Sequence, residues 1–425
     1  MEHSKPHGNI HEVVTEAGCA EYFKDFIKRS SASLIGLEYE LILIDNVSGS
    51  HVTYFGQRGI VALLTLMTLD GYSPELANGL IMGLSKGCSR VSLEPGGQIE
   101  FSSTAHSSIA AIQLELDSFL HSLTVACRQL SISWKAIGYR PVEEPLAVST
   151  IPHPRYLHLM PALCSYAGGE AEQKMTASMQ VSVDYQSATH AGQLLRLGFL
   201  IQPYIVAACA NSYSTHSGRA STKSRRIKTW NLFDQRRCDA AHYLLEGKAL
   251  SETFYDYANW ALDKKLLLIH REGRYLSTPG MTFRDYLKRG IGIHSAQWHD
   301  WAIHLGTLYP YARLKNVVEF RAADSCPPQF AIALAALWKG IAYNQSAIEA
   351  SLDLSGQPTA CALARLYDEA ATRGLAGRDA RRNTFASGML ELVAIAELGL
   401  PCSERELLQP LRKAGTTGHS PADTN

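Results

Sequence analysis

Four short segments of this 425-residue chain alternate oxygen- or nitrogen-bearing side chains with apolar ones. Glu38 and Glu40 flank Tyr39 in IGLEYELILID, and Gln98 and Glu100 alternate with Ile99 and Phe101 just after Glu94-Pro95-Gly96-Gly97. In TASMQVSVDY, Ser178, Gln180, Ser182 and Asp184 alternate with Met179, Val181 and Val183; in KNVVEFRAAD, Glu319 and Arg321 alternate with Val318 and Phe320. With the two-residue period of a strand, each segment offers polar groups on one face and packing on the other. Two readings follow. An antiparallel sheet ordinarily turns such a face to water. If the strands are neighbours, however, the converging carboxylates repel one another unless protonated or bridged by cations.

The composition of these faces, Glu, Gln and Arg without a scatter of Lys and Thr, favours the second reading. Magnesium takes oxygen ligands and commonly shares them between carboxylates and nucleotide phosphates. Glu38, Glu40, Glu94, Glu100 and Glu319 could hold two or three such ions, with the glycines after Pro95 permitting a tight turn between Glu94 and Glu100. Arg321, on the face of Glu319, would then oppose a transferring phosphoryl group. No GxxxxGK[ST] or GxGxxG loop is present, so any ATP would be held through metals and basic side chains.

The elements that must position these residues read as a mixture. Helical periodicity covers 10–29, 57–70 and 106–130, then 329–350, 359–373 and 380–398. Strand-like segments lie at 34–45, 90–93, 98–102, 132–138, 176–185 and 315–322. Strands separated by long helical insertions predict an α+β domain, with helices on one side of a mostly antiparallel sheet. A single catalytic domain over 1–413 is expected, helical from about 329, with a disordered tail over 414–425; residues 214–237 read as a polar, basic loop.

Forty basic residues balance forty acidic ones, so nothing global draws the chain to nucleic acid or an anionic membrane. The apolar passage Leu200–Ala210 is interrupted by Gln202 and Pro203 and is too short to span a bilayer. Nine cysteines without a CxxC pair fit reduced thiols, and with no leader-like segment the expectation is a cytoplasmic protein.

The motifs also carry a resemblance. IGLEYE resembles the GTEHE strand of the plant and proteobacterial glutamate–cysteine ligases, and SLEPGGQIEFSS their SLEPGGQxELSG. PHPRYLHLM, TASMQVSVDY, PGMTFRDYL and HLGTLYPYARLKNVVEFRAAD are similar to PxxRYxxM, TxxVQVNLDF, GMTFxxFL and HLTTxFPxVRLKxxLEMRGAD, in the same order. The ergothioneine-pathway ligases share these features. The resemblance implies a glutamine synthetase-like fold, a curved antiparallel sheet forming a funnel with helices behind it. It implies ATP-dependent formation of γ-glutamylcysteine through a γ-glutamyl phosphate, by a monomer or homodimer.

By the same resemblance Glu38, Glu40, Glu94, Glu100 and Glu319 correspond to the magnesium ligands and Gln180 to a metal- or nucleotide-facing residue. Arg321 corresponds to the arginine steadying the phosphoryl group, while Arg226, Trp230 and Arg237 match the family's RSHIW…DR segment, implicated in binding substrate or nucleotide anions. Departures are Tyr39 for a histidine, Met175 for an arginine preceding TxxVQV, and WNLFDQRR for WTDTDxDR. These leave open an acceptor amine other than cysteine in a specialised pathway. A catalytically silent relative is a remoter alternative, because a chain freed from catalysis need not keep five clustered carboxylates.

Overall fold

A computed structural model describes residues 14–28, 33–141, 144–216, 219–239, 245 and 249–424. The strands are β1 (Ile35–Asp45), β2 (Ser73–Ala77), β3 (Leu80–Lys86), β4 (Ser89–Leu93), β5 (Ile99–Ser102), β6 (Ile132–Lys135) and β7 (Ser178–Val183). They continue with β8 (Ser214–His216), β9 (Arg219–Thr222), β10 (Leu268–Arg271), β11 (Arg274–Ser277), β12 (Ala312–Leu314) and β13 (Val318–Asp324). Nine of them build one sheet in the order β12-β13-β7-β1-β5-β4-β3-β2, with β6 paired to the far half of β1. Every pairing in it is antiparallel, as the sequence predicts.

Leu37, Tyr39, Ile99, Phe101, Met179, Val181, Val183 and Phe320 are all buried. Helix Pro328–Ala342 packs on β1 and β7, and Trp338 stacks on Phe320 at 3.4 Å between ring centroids. Helix Gln202–Ala208 covers β13, while Phe119 of helix Ile109–Gln129 stacks on Phe101. Helices Phe385–Gly399 and Gln409–Thr417 form a second layer outside Pro328–Ala342. With one face closed by apolar packing, register is firmly set, because a one-residue slip would exchange the two faces.

Several expectations are corrected. No strand was expected over 73–86, yet β2 and β3 form a hairpin on Asn78 and Gly79, both with positive φ. This is the Asn-Gly signal of a tight hairpin turn. The helix expected over 329–350 is two, Pro328–Ala342 and Gln345–Leu354, because the Asn344 side chain caps the second by accepting from the Ala347 N–H. Of the helix expected over 10–29, residues 10–13 and 29 lie outside the described residues; helix Glu16–Glu21 and a 3-10 turn, Tyr22–Phe26, occupy its middle.

The basic loop of 214–237 holds a short hairpin, β8–β9, and helix Arg225–Leu232. Four of its cations are committed to the protein: Lys223 pairs with Asp423 and Lys228 with Asp368, while Arg226 and Arg237 are buried. The expected disordered tail is packed, with Pro421 and Ala422 buried and the Ala422 N–H donating to the Ala210 carbonyl. Among the described residues no helix is long and apolar enough to cross a membrane, and all nine cysteines are free thiols.

Two irregularities aim the polar face. Between β4 and β5 the Gly97 N–H donates to the Glu94 carbonyl, with Gly97 at φ +78°, and the Glu94 N–H closes onto Gln98. A Cβ on Gly96 would stand 2.3 Å from the Lys174 carbonyl, so only glycine lets helix Gly169–Met175 lie against this turn. In β13 the pairing with β7 shifts between Phe320 and Ala323, a bulge that contains Arg321 and Ala322. Gly96→Ala is expected to lower stability by about 1–3 kcal/mol through this overlap, measured by thermal or urea denaturation.

Candidate active site

The register assembles the polar side chains. Glu38 of β1 stands opposite Gln180 of β7, Glu40 opposite Glu100 of β5, and Glu319 of β13 opposite both Ser182 of β7 and Arg313 of β12. Glu94 enters from the β4–β5 turn. Together with helices Pro154–Leu163, Gly169–Met175 and Trp298–Leu305 these strands enclose a cavity of about 480 Å³. Glu38, Glu40, Glu94, Glu100, Glu319, Gln180, Arg226 and Arg321 all line it.

Arg321 is held at the bulge by its backbone and its side chain. Its N–H donates to the Tyr311 carbonyl and its Nη1 to Gln180 Oε1 (2.5 Å) and Glu319 Oε1 (3.0 Å). Gln180 in turn donates to Glu40 Oε1 (2.7 Å), and the Ser178 N–H to Glu40 Oε2 (2.7 Å). Ser92 donates to Glu100 Oε1 (2.7 Å).

The other three cofactor-binding candidates divide. Arg226 lines the cavity, but its guanidinium donates to the carbonyls of Arg321 (2.9 Å), Ala322 (3.2 Å) and Ala323 (3.3 Å), so it clamps the bulge. Trp230 lies beneath Arg226, 4.8 Å from its guanidinium carbon to the ring centre, and donates to the Tyr309 carbonyl. It does not line this cavity. Arg237 points elsewhere, donating to the carbonyls of Thr307 and Lys265 and pairing with Asp234.

The carboxylates fall into two electrostatic groups. Burial, then Glu319 and Glu100, push the Glu38 carboxyl up to about 8. Burial, then Glu40, raise Glu100 to about 7, and burial with Glu100 and Glu40 holds Glu94 well above the usual range. Burial also raises Glu40, against Arg226 and Arg321. For Glu319, burial opposes ionisation, but Arg313 (2.6 Å), Lys315 (3.7 Å) and Arg321 (3.0 Å) outweigh it and hold the carboxyl well below its ordinary value.

Glu319 is therefore neutralised by the protein, whereas Glu38, Glu94 and Glu100 lack sufficient positive charge. Such an oxygen-only donor set suits a hard divalent cation. Among the described residues no group of three or more Asp, Glu, His or Cys side chains is already gathered as an ion site.

Sequence reasoning passed over Arg155, Tyr156, Glu172, Gln173, Tyr309, Arg313 and Lys315, all of which line the cavity. Arg155, Arg313 and Lys315 stand inside quoted motifs, which is the signal that could have found them. Arg155 makes no side-chain hydrogen bond or ion pair among the described residues, and its Nε is buried. Met175, which replaces the arginine preceding TxxVQV, is fully buried against Tyr139 and Val148. Its neighbours Gln173 and Thr176 face the cavity.

A carboxyl raised above its ordinary 4.5 binds its proton more tightly in the folded protein than in the unfolded chain. Its stabilising contribution is intact below pH 4.5 and lost as pH climbs through about 7 for Glu100 and about 8 for Glu38. Without divalent cations, the melting temperature should fall across this window, and magnesium should restore it most at the upper end. Scanning calorimetry with and without chelator checks this; Glu38→Gln should flatten the slope.

Comparison with known proteins converges on one group. The chain is 29% identical to the chloroplastic glutamate–cysteine ligase of Brassica juncea over 357 residues, covering 81% of this chain and 67% of that protein. It is 28% identical to the Arabidopsis thaliana enzyme, covering 81% of this chain and 66% of that one. The chain thus spans about two thirds of the length of these relatives. The glutamate–cysteine ligase of Francisella tularensis, solved in complex with AMP, matches in fold with a TM-score of 0.55 at 11% identity, over 92% of this chain and 84% of that one. The family model for glutamate–cysteine ligase family 2 matches residues 34–424, so the chain belongs to that family.

Proposed function

We propose that this protein is an ATP-dependent ligase joining the side-chain carboxyl of L-glutamate to the amino group of L-cysteine. The observation that carries this reading is the concentration of under-neutralised carboxylates, Glu38, Glu94 and Glu100, in one cavity with Arg321. Two further supports are the family to which the chain belongs and the AMP held by the Francisella tularensis ligase.

A carboxylate does not react usefully with an amine at neutral pH, so it must first gain a leaving group. In the reaction proposed, the terminal phosphoryl group of ATP passes to a side-chain oxygen of glutamate and ADP departs. The amine nitrogen then attacks the acyl carbon, the carbon–oxygen bond to phosphate breaks, and the nitrogen loses its proton to solvent. No nucleophilic side chain is required, and the work is positioning and charge stabilisation.

Glu38, Glu40, Glu94 and Glu100 would hold magnesium ions, which neutralise the phosphates and the carboxylates together. Glu319 contributes differently, anchoring Arg313, Lys315 and Arg321 on the opposite side of the cavity floor. Arg321, fixed by Glu319 and Gln180, stabilises charge on the phosphoryl group in flight. Arg155, which makes no side-chain hydrogen bond or ion pair among the described residues, is the receptor for a substrate carboxylate.

Glu38→Gln and Glu100→Gln should each abolish ATP turnover while leaving the protein folded, read by phosphate release and circular dichroism; substantial turnover in both would remove their metal role. Arg321→Ala should slow phosphoryl transfer by about a hundredfold or more while changing ATP affinity far less. Pre-steady-state ADP formation and equilibrium nucleotide binding separate these effects. Loss of affinity alone would contradict the role given to Arg321.

A further inference from the structure

Another carboxylate in the cavity lies outside the floor just described. Glu172, on helix Gly169–Met175, lines the wall beside Gln173 and Thr176, and its Oε2 is buried without a hydrogen-bond donor. Gln98 shares this condition. Its amide nitrogen donates to the carbonyls of Gln173 (3.3 Å) and Thr176 (2.8 Å), which fixes the amide orientation and leaves Oε1 buried without a donor. The two acceptors are tied to the same stretch of chain, 172–176, so their relative position is set by backbone.

The charged groups that act on Glu172 are Arg226, Arg321 and Asp324. Neither arginine forms an ion pair with Glu172: the Nη groups of Arg226 donate to three backbone carbonyls and Nη1 of Arg321 to Gln180 and Glu319, while the Nε of each is buried without a partner. Asp324 is occupied by donors from Asn211, Ser212 and Ser224. Burial raises the Glu172 carboxyl to about 7, against the pull of Arg226 and Arg321. A buried anionic oxygen without a donor costs free energy unless something that enters the cavity supplies one.

Two acceptors, one of them a carboxylate, match a cation rich in N–H donors and repel a carboxylate or phosphate. We propose that Glu172, with Gln98 tied to the same stretch of chain, receives the ammonium group of the acceptor amine and so places its nitrogen, which loses one proton to solvent before it attacks the activated glutamate. This rests on the ligase reading above, and makes Glu172 a binding residue of the acceptor subsite. Recognition there is of the ammonium, so it extends to amines that lack a carboxylate.

The test compares wild type with Glu172→Gln and Glu172→Met in steady-state assays of ADP formation, with L-cysteine, L-glutamate and ATP varied in turn. Both variants should raise the KM for cysteine about tenfold or more while leaving those for glutamate and ATP within about twofold. An unchanged cysteine KM would overturn the proposal. A rise in the glutamate KM instead would also overturn it, by assigning Glu172 to the donor substrate.

Calorimetric titration with propylammonium chloride separates failure of this inference from failure of the ligase reading. Binding to the magnesium-loaded wild type that is lost in Glu172→Gln supports the ammonium site even if no ligation occurs. Equal binding, or none, in the two proteins sinks it. Glu172→Asp, which keeps the charge, should retain part of the affinity and covers the case in which the neutral variants fold poorly.

Discussion

Burying several carboxylates on one face of a sheet is the constraint around which the molecule is organised. Glu38, Glu40, Glu94, Glu100 and Glu319 face one cavity, and for Glu38, Glu94 and Glu100 the cost of burial is compounded by repulsion from neighbouring carboxylates. Among the described residues, Glu319 alone of the five forms ion pairs. The rest are left for protons or for ions that arrive with substrate. A fold optimised only for stability would not keep such a face, and the cost is offset by the packing on the other side of the same strands. Phe320 against Trp338 and Phe101 against Phe119 are part of that packing.

The backbone irregularities serve the same end. At the β13 bulge the freed backbone groups find partners: the Arg321 N–H donates to Tyr311, the Ala322 N–H donates to Gln202 Oε1, and the carbonyls of 321–323 accept from Arg226. A buried bulge with unpaired groups would be unstable, so Gln202 and Arg226 are what permit Arg321 its position. The same logic explains the glycines before Gln98. They bring the Glu94 turn against Lys174 and so bind the carboxylate floor to the helix that carries Glu172.

Much of this was legible in the sequence. Glu38, Glu40, Glu100, Gln180 and Glu319 followed from a period of two, because a strand's faces are set by local geometry alone. Arg313 escaped that reading because its meaning depends on pairing with Glu319 across a hairpin, a matter of register. Arg155 and Glu172 escaped because they stand on helices whose orientation toward the cavity is decided by tertiary packing. Arg237 shows the limit of a motif match: it corresponds to the family's RSHIW…DR segment, but the turn through Asp234 sends its side chain to Thr307 and Lys265. In the tail, small polar residues imitated disorder while Pro421 and Ala422 found a buried seat.

The central claim is that the cavity activates a carboxylate by phosphorylating it. The most direct measurement follows oxygen: glutamate carrying a heavy-oxygen isotope in its side-chain carboxyl is turned over with ATP, magnesium and cysteine, and the released phosphate is analysed by mass spectrometry. The account predicts transfer of one labelled oxygen into phosphate for each amide formed. Unlabelled phosphate accompanying amide formation, or label recovered in AMP, would contradict it.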